Sequence, residues 1–300
     1  MSLLVWFSLL VLSVIWGSSF LFVELVVDHM TPFTIVFVRV GLAAAALIVY
    51  CRLKGLSIPL QGKHIVQYAV MGFLAHALPF TLITWGQIHI TAGLASIFNA
   101  TTPLFTVLVA HLCLSDERAN ATKFIGVFTG FFGVAVLLGG GMTGLSVDNI
   151  LGQLASLSAA VSYAFSIVYG RRFSGLTPAG ISAATLTSAT LLIAPLALMN
   201  ASHVTQLPPA GALMAIVILA LLCTAIAYII YYWILSHAGA TNLSLVTFLI
   251  PASAIMLGAV FLNETLALNH VAGLALIFCG LILVDGQLLR FISRSRIRRA

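Results

Sequence analysis

TAGLASIFNATTPLFTVLVAHLCLSDE, Thr91 to Glu117, reads as an apolar helix with a proline near its middle and a polar corner at its end. GATNLSLVTFLIPASAIMLGAVFLNE, Gly239 to Glu264, repeats it. Trp85 matches Trp233, Ser96 matches Ser244 and Pro103 matches Pro251, each 148 residues apart; beyond the proline the offset is 147, pairing Glu117 with Glu264 and Gly133 with Gly280. At helical spacing Ala92, Ser96, Asn99, Pro103, Thr106 and Ala110 share one face. Ala240, Ser244, Thr247, Pro251, Ala254 and Gly258 share the matching one. Small polar faces in oily helices suit other helices or a cavity rather than lipid tails, and Pro103 and Pro251 are candidate helix breaks or hinges.

The remaining composition agrees. With 61% hydrophobic and 7% charged residues over 300 positions, the chain falls far below the roughly 25% charge of soluble domains. It reads as an all-α polytopic membrane protein in a lipid bilayer. Apolar runs of about 20 residues, the length that crosses a bilayer core, predict ten transmembrane helices near 3–27, 33–51, 65–85, 91–113, 122–139, 150–170, 178–199, 210–233, 241–262 and 268–288. The first run carries no Lys or Arg ahead of it and is too long for a signal peptide, so it reads as a retained span. If loops alternate sides, 12 of the 13 basic residues fall on the side of the N-terminus, Arg39 being the exception. The positive-inside rule then places both termini in the cytoplasm. The net charge of +6 needs no nucleic acid.

Thr31-Pro32 and Thr177-Pro178 open the second and seventh expected helices, 146 residues apart. Each half therefore holds five helices: 1–140 and 150–288, with a linker at 141–149 and a basic cytoplasmic tail at 289–300. An odd number of helices inverts the second copy, and inverted halves suit alternating access about a site at their junction.

WGSSFLFVE near the start, TPFTIVFVRVGLAAA, and the two blocks in which a proline is followed by a glutamate corner and a glycine-rich helix resemble the EamA branch of the drug/metabolite transporter superfamily. The resemblance covers nearly the whole chain. It implies a secondary transporter that exports small metabolites, most of all amino acids, across a bacterial inner membrane. Within the family the chain looks most like the YddG-type exporters of aromatic amino acids. Two departures stand out. The corner that usually reads G-E-R is Ser115 to Arg118 in one copy and Asn263 to Thr265 in the other, which bears on packing. Ser162-Tyr163 replaces the second W-G, which bears on substrate.

The residues themselves supply a candidate binding set: Trp16, Phe20, His76, Phe80, Ser96, Asn99, Tyr163, Thr224, Tyr228, Ser244 and Thr247. His76 and Thr224 are repeat mates at the centres of helices 3 and 8, as are Phe80 and Tyr228 one turn further on. A histidine at mid-bilayer needs a partner or water, and imidazole, titrating near pH 6.5 in water, is the group best suited to exchange a proton. Packing against a neighbouring helix explains it equally well. Trp16, Phe20 and Tyr163 line a cavity or simply fill a bundle core. Glu24 and Arg39 lie at depths differing by about 5 Å. They form a structural ion pair between helices 1 and 2, or act separately as an outer gate or substrate contact. Trp85 and Trp233 fit the interfacial aromatic belt. Gly126, Gly130 and Gly133, repeated as Gly273 and Gly280, suit close packing, read here as packing of helix 5 within its own half rather than a homodimer seam.

No Walker loop is present, so ATP is not the driver, and the scattered Cys51, Cys113, Cys223 and Cys279 suggest neither a disulfide framework nor a metal site. No cofactor is expected. An intramembrane enzyme would need paired aspartates, a serine with a histidine or a zinc helix, and none is spelled out. A carrier of phosphorylated or nucleotide-linked sugars would want several central cations, and only Arg39 is there.

Overall fold

The computed structural model describes residues 3–58, 62–113, 121–139, 146–173, 176–200, 207–231, 233–234, 237, 246–263, 265 and 267–285. Ten helices run through them: α1 (Leu3–Val27), α2 (Pro32–Leu53), α3 (His64–Gly86), α4 (Ala92–Cys113), α5 (Ala121–Gly139), α6 (Val147–Gly170), α7 (Pro178–Met199), α8 (Ala210–Tyr231), α9 (Val246–Phe261) and α10 (Leu268–Asp285). Seven of these, α1 to α4 and α6 to α8, are long and apolar enough to cross a membrane, while α5, α9 and α10 contain shorter apolar stretches. Asp116, Glu117, Glu264, Ser244, the Thr247 side chain, residues 141–145 of the expected linker and the basic tail lie outside the described residues.

The helix ends follow from their sequences. Thr31 caps α2 by accepting from the Thr34 N–H, with Pro32 in the first turn where its missing N–H costs nothing. Thr91 caps α4 in the same way through Leu94. Gly55 closes α2 at φ +63, and Asn263 follows α9 at φ 55. Asparagine tolerates that left-handed region, so the Asn263 corner can turn the chain where the family pattern has glycine.

Three helices are irregular. α4 breaks at Ala100 and Thr101 and resumes at Thr102. Pro103 cannot donate to the Asn99 carbonyl, and the Thr102 hydroxyl donates to it instead at 2.7 Å. Its mate Pro251 sits inside a continuous helix, so the two prolines have different local outcomes. α3 and α8 each widen into a π-turn, over Phe73–Ala77 and Leu221–Ile226. The Leu78 N–H reaches back to the Phe73 carbonyl, and that of Ala227 to Leu222. Pro79 supplies a reason in α3, because its ring disfavours a regular bond to Ala75. α8 has Ala227 at the equivalent position; there the Thr224 hydroxyl donates to the Leu219 carbonyl at 2.8 Å.

Packing relates the halves. α1 packs on α8 and α9, and its mate α6 packs on α3 and α4; α2 packs on α8, and its mate α7 on α3. Mates also pack directly on one another, α4 on α9 and two further pairs. α2 lies against α7, with Gly41 beside Thr190 and Thr177 donating to the Ser57 carbonyl. α5 lies against α10: a Cβ on Gly280 would stand 2.5 Å from the Gly126 carbonyl oxygen, and one on Gly133 would stand 2.8 Å from that of Gly273. In both pairs residue numbers rise along one helix as they fall along the other, so the mates run antiparallel. The expectation that the glycine face of α5 packs within its own half is corrected in part: Gly130 does meet Leu104 of α4, but Gly126 and Gly133 meet the repeat in the other half, where small residues let two backbones come close.

The small faces of α4 and α9 are turned inward. Ala92, Ser96 and Ala110 are buried, as are Pro251, Ala254 and Gly258. α1 meets α9 at Gly17, where a side chain would strike Ser253, whose hydroxyl donates to the Ser13 carbonyl at 2.8 Å.

Candidate functional site

The two π-turns bring their polar residues to one place. His76 lies in the first and Thr224 in the second, 2% and 0% exposed. Arg39, from α2, donates through Nε to the Thr224 hydroxyl oxygen at 2.9 Å. Its guanidinium carbon lies 3.9 Å over the Phe80 ring centroid, within reach of a cation–π attraction. Thr224 gives its one proton to the Leu219 carbonyl and accepts from Arg39.

His76 links the halves a second time. The single proton of the Thr185 hydroxyl goes to the Ser182 carbonyl, so Thr185 accepts, at 3.3 Å, from Nε2 of His76. The other nitrogen, Nδ1, is then the acceptor for the Tyr228 hydroxyl, also at 3.3 Å. This is a neutral imidazole held between α7 and α8. Ser162 of α6 donates to the Leu74 carbonyl inside the same π-turn at 2.8 Å.

An aromatic wall surrounds these groups. The Trp16 ring lies 6.0 Å from Tyr228 and 5.7 Å from Tyr231, and His76 lies 5.0 Å from Tyr228 and 5.6 Å from Phe80. Such edge and tilted contacts suit ring quadrupoles. Tyr163 and Cys223 stand within electrostatic reach of Arg39. Trp16, Tyr163, Tyr228 and Tyr231 are only partly buried, although Trp16, Tyr163 and Tyr231 pack against the core.

Other candidates fall elsewhere. Phe20 is buried in the core, and its carbonyl accepts from Gln87 at 2.9 Å. The Ser96 hydroxyl is spent on the Gly93 carbonyl at 2.6 Å. Asn99 keeps a buried Oδ1 with no partner among the described residues. Glu24 does not pair with Arg39: its carboxylate accepts from Gln87 Nε2 at 3.0 Å, and among the described residues no ion pair joins the two charges. The helical-depth argument brought them to one level, but Arg39 turns to Thr224 and Glu24 to Gln87. Thr185, Tyr231 and Gln87 were not singled out from the sequence. Tyr231, three residues beyond Tyr228, could have been found by helical spacing; Thr185 and Gln87 look like ordinary polar residues in oily helices.

An all-helical bundle of duplicated halves with a polar, aromatic centre can be compared with known proteins. The model of the EamA-like transporter family matches residues 3–139 and again 150–285. The chain belongs to the EamA-like transporter family. As a member of it, the protein is a multi-pass membrane transporter and not an enzyme. Among its relatives, the uncharacterized transporter YoaV of Bacillus subtilis is 23% identical, covering 90% of this chain and 92% of that protein. The uncharacterized inner membrane transporter YedA of Escherichia coli is 27% identical, over 92% and 89%. A solved crystal structure shares the fold at a TM-score of 0.67 and 19% identity, covering 94% of this chain and 96% of that one.

Proposed function

We propose that this EamA-like transporter exports small metabolites, above all neutral or aromatic amino acids, across a bacterial cytoplasmic membrane by alternating access between two inverted five-helix halves. The observation that carries the reading is the joining of the halves at a central polar cluster: Arg39 bonds to Thr224, and His76 to Tyr228 and Thr185. Three bonds of this cluster cross between the halves and are remade whenever the halves rock, which couples substrate binding to movement. The antiparallel pairing of α5 with α10 and of α2 with α7 supports inverted repeats. Five helices per half, all crossing, give the same inversion. Orientation with cytoplasmic termini rests on the basic residues, and the inner-membrane description of YedA agrees with the proposed location.

The aromatic wall of Trp16, Phe80, Tyr163 and Tyr228 favours substrates with a flat apolar group, as in the YddG-type exporters. Asn99 and the small faces carrying Ser96, Ser244 and Thr247 would border the same path, with the break beside Pro103 as the point where α4 bends. The test is efflux from proteoliposomes loaded with labelled phenylalanine, threonine or a hexose phosphate, with His76→Ala, Asn99→Ala and Tyr163→Ala as comparisons. Saturable amino-acid efflux weakened by the substitutions supports the reading. Folded protein that moves only the hexose phosphate replaces it with a sugar-phosphate carrier.

A further inference from the structure

Arg39 is a buried cation in an oily bundle, 6% exposed. Among the described residues its guanidinium has one hydrogen-bond acceptor, the neutral Thr224 hydroxyl, and one ring beneath it, Phe80. No described carboxylate pairs with it. Glu24 is engaged by Gln87, and Asp28 and Asp148 sit at helix ends. Taking an ion out of water without a counter-charge is costly, so a fold that keeps this one gains from an anion that arrives from outside.

The geometry states which kind of anion. Thr224 and Phe80 hold Arg39 by its Nε edge and by one face, leaving the two terminal nitrogens for a planar acceptor. A carboxylate matches that fork in a bidentate pair. Trp16, Tyr228 and Tyr231 are mutually in ring contact, and Tyr228 also meets His76, whose ring neighbours the Phe80 beneath Arg39. Against this stands no described carboxylate positioned at the rings to hold an ammonium.

We propose that Arg39 is the carboxylate anchor of the transport site, and that the site selects an aromatic monocarboxylate by its carboxylate and its ring, with the α-amino group dispensable. This rests on the transport reading above and sharpens it: deaminated aromatic acids are ligands on a par with amino acids, and aromatic amines are not. Thr224 is a positioning residue, which aims the fork from the opposite half.

The experiment uses the full chain in detergent, with equilibrium binding of labelled L-phenylalanine and, separately, labelled 3-phenylpropionate, each competed with the other and with 2-phenylethylamine. The two acids are expected to bind within about threefold of each other, and the amine at least tenfold more weakly. Arg39→Gln removes that preference, and Arg39→Lys restores part of it. Should Arg39→Gln fail to fold, Thr224→Val serves in its place, weakening both acids severalfold and leaving the amine unchanged. An amine that competes as well as 3-phenylpropionate overturns the anchor while leaving amino-acid transport standing, as does a folded Arg39→Gln that still prefers acids. Arg39-dependent binding of 3-phenylpropionate without binding of phenylalanine keeps the anchor and removes the amino-acid reading. If neither acid binds, both fall.

Discussion

Gly280 and Gly126, from two halves of one chain, stand so close that a Cβ on the first would lie 2.5 Å from the carbonyl oxygen of the second and 2.6 Å from the Gly130 nitrogen. Both obstacles are backbone, which cannot swing aside. Gly280→Ala is therefore predicted to force α5 and α10 apart, costing on the order of 1–3 kcal/mol and lowering the melting temperature in detergent by several degrees. Gly211→Ala, with nothing within 4 Å of its new carbon, is the control. Equal melting of the two variants contradicts the glycine crossing.

Tyr228→Phe removes the hydroxyl that meets His76 Nδ1 at 3.3 Å. That bond is longer than the usual range, so its loss costs about 1 kcal/mol or less and folded yield is predicted to stay near wild type. Efflux, in contrast, is predicted to fall severalfold, because the imidazole is then held from the α7 side alone. Proteoliposome transport normalised to folded protein separates the two effects; unchanged transport assigns the contact to packing.

Gln87 donates both to the Phe20 carbonyl and to the Glu24 carboxylate, at 2.9 and 3.0 Å, and is 3% exposed. Gln87→Leu strips a partner from a charged group and from a buried carbonyl, each deletion costing about 1–3 kcal/mol. A clear loss of thermal stability is expected, with Gln87→Glu worse still through like-charge repulsion with Glu24. A leucine variant as stable as wild type shows that Glu24 is held by other contacts.

Pro103→Ala gives residue 103 an N–H that can reach the Asn99 carbonyl, now served by Thr102. The break in α4 is predicted to close without loss of folding, and transport to slow severalfold if the bend takes part in the cycle. Pro251→Ala, in a helix already continuous, is predicted to change transport less. Efflux rates of the two variants, measured side by side, decide it; equal rates remove the break from the mechanism.

Much of this architecture is legible along the chain. The oily runs, the Thr-Pro starts at Pro32 and Pro178, and the duplicated blocks around Pro103 and Pro251 are local patterns, and hydropathy and helix initiation act over a few residues. His76 and Thr224 were readable as a central pair because the repeat aligned them. The exchange of partners was not. Arg39 and Glu24 are the obvious opposite charges of neighbouring helices, yet each takes a neutral partner, Thr224 and Gln87, from a helix distant in sequence.

By itself, then, the sequence determined a helical, membrane-embedded, duplicated transporter, because lipid requires every span to satisfy its own backbone and so writes each helix as a continuous apolar run. Tertiary structure alone decided that glycines of α5 meet those of α10, that Arg39 of α2 reaches Thr224 in the π-turn of α8, and that no described carboxylate pairs with Arg39. Those choices depend on the rotation of each helix about its axis and on its crossing with a distant segment. In an apolar solvent that rotation is set by close packing and by polar bonds between helices, which no single run of residues contains.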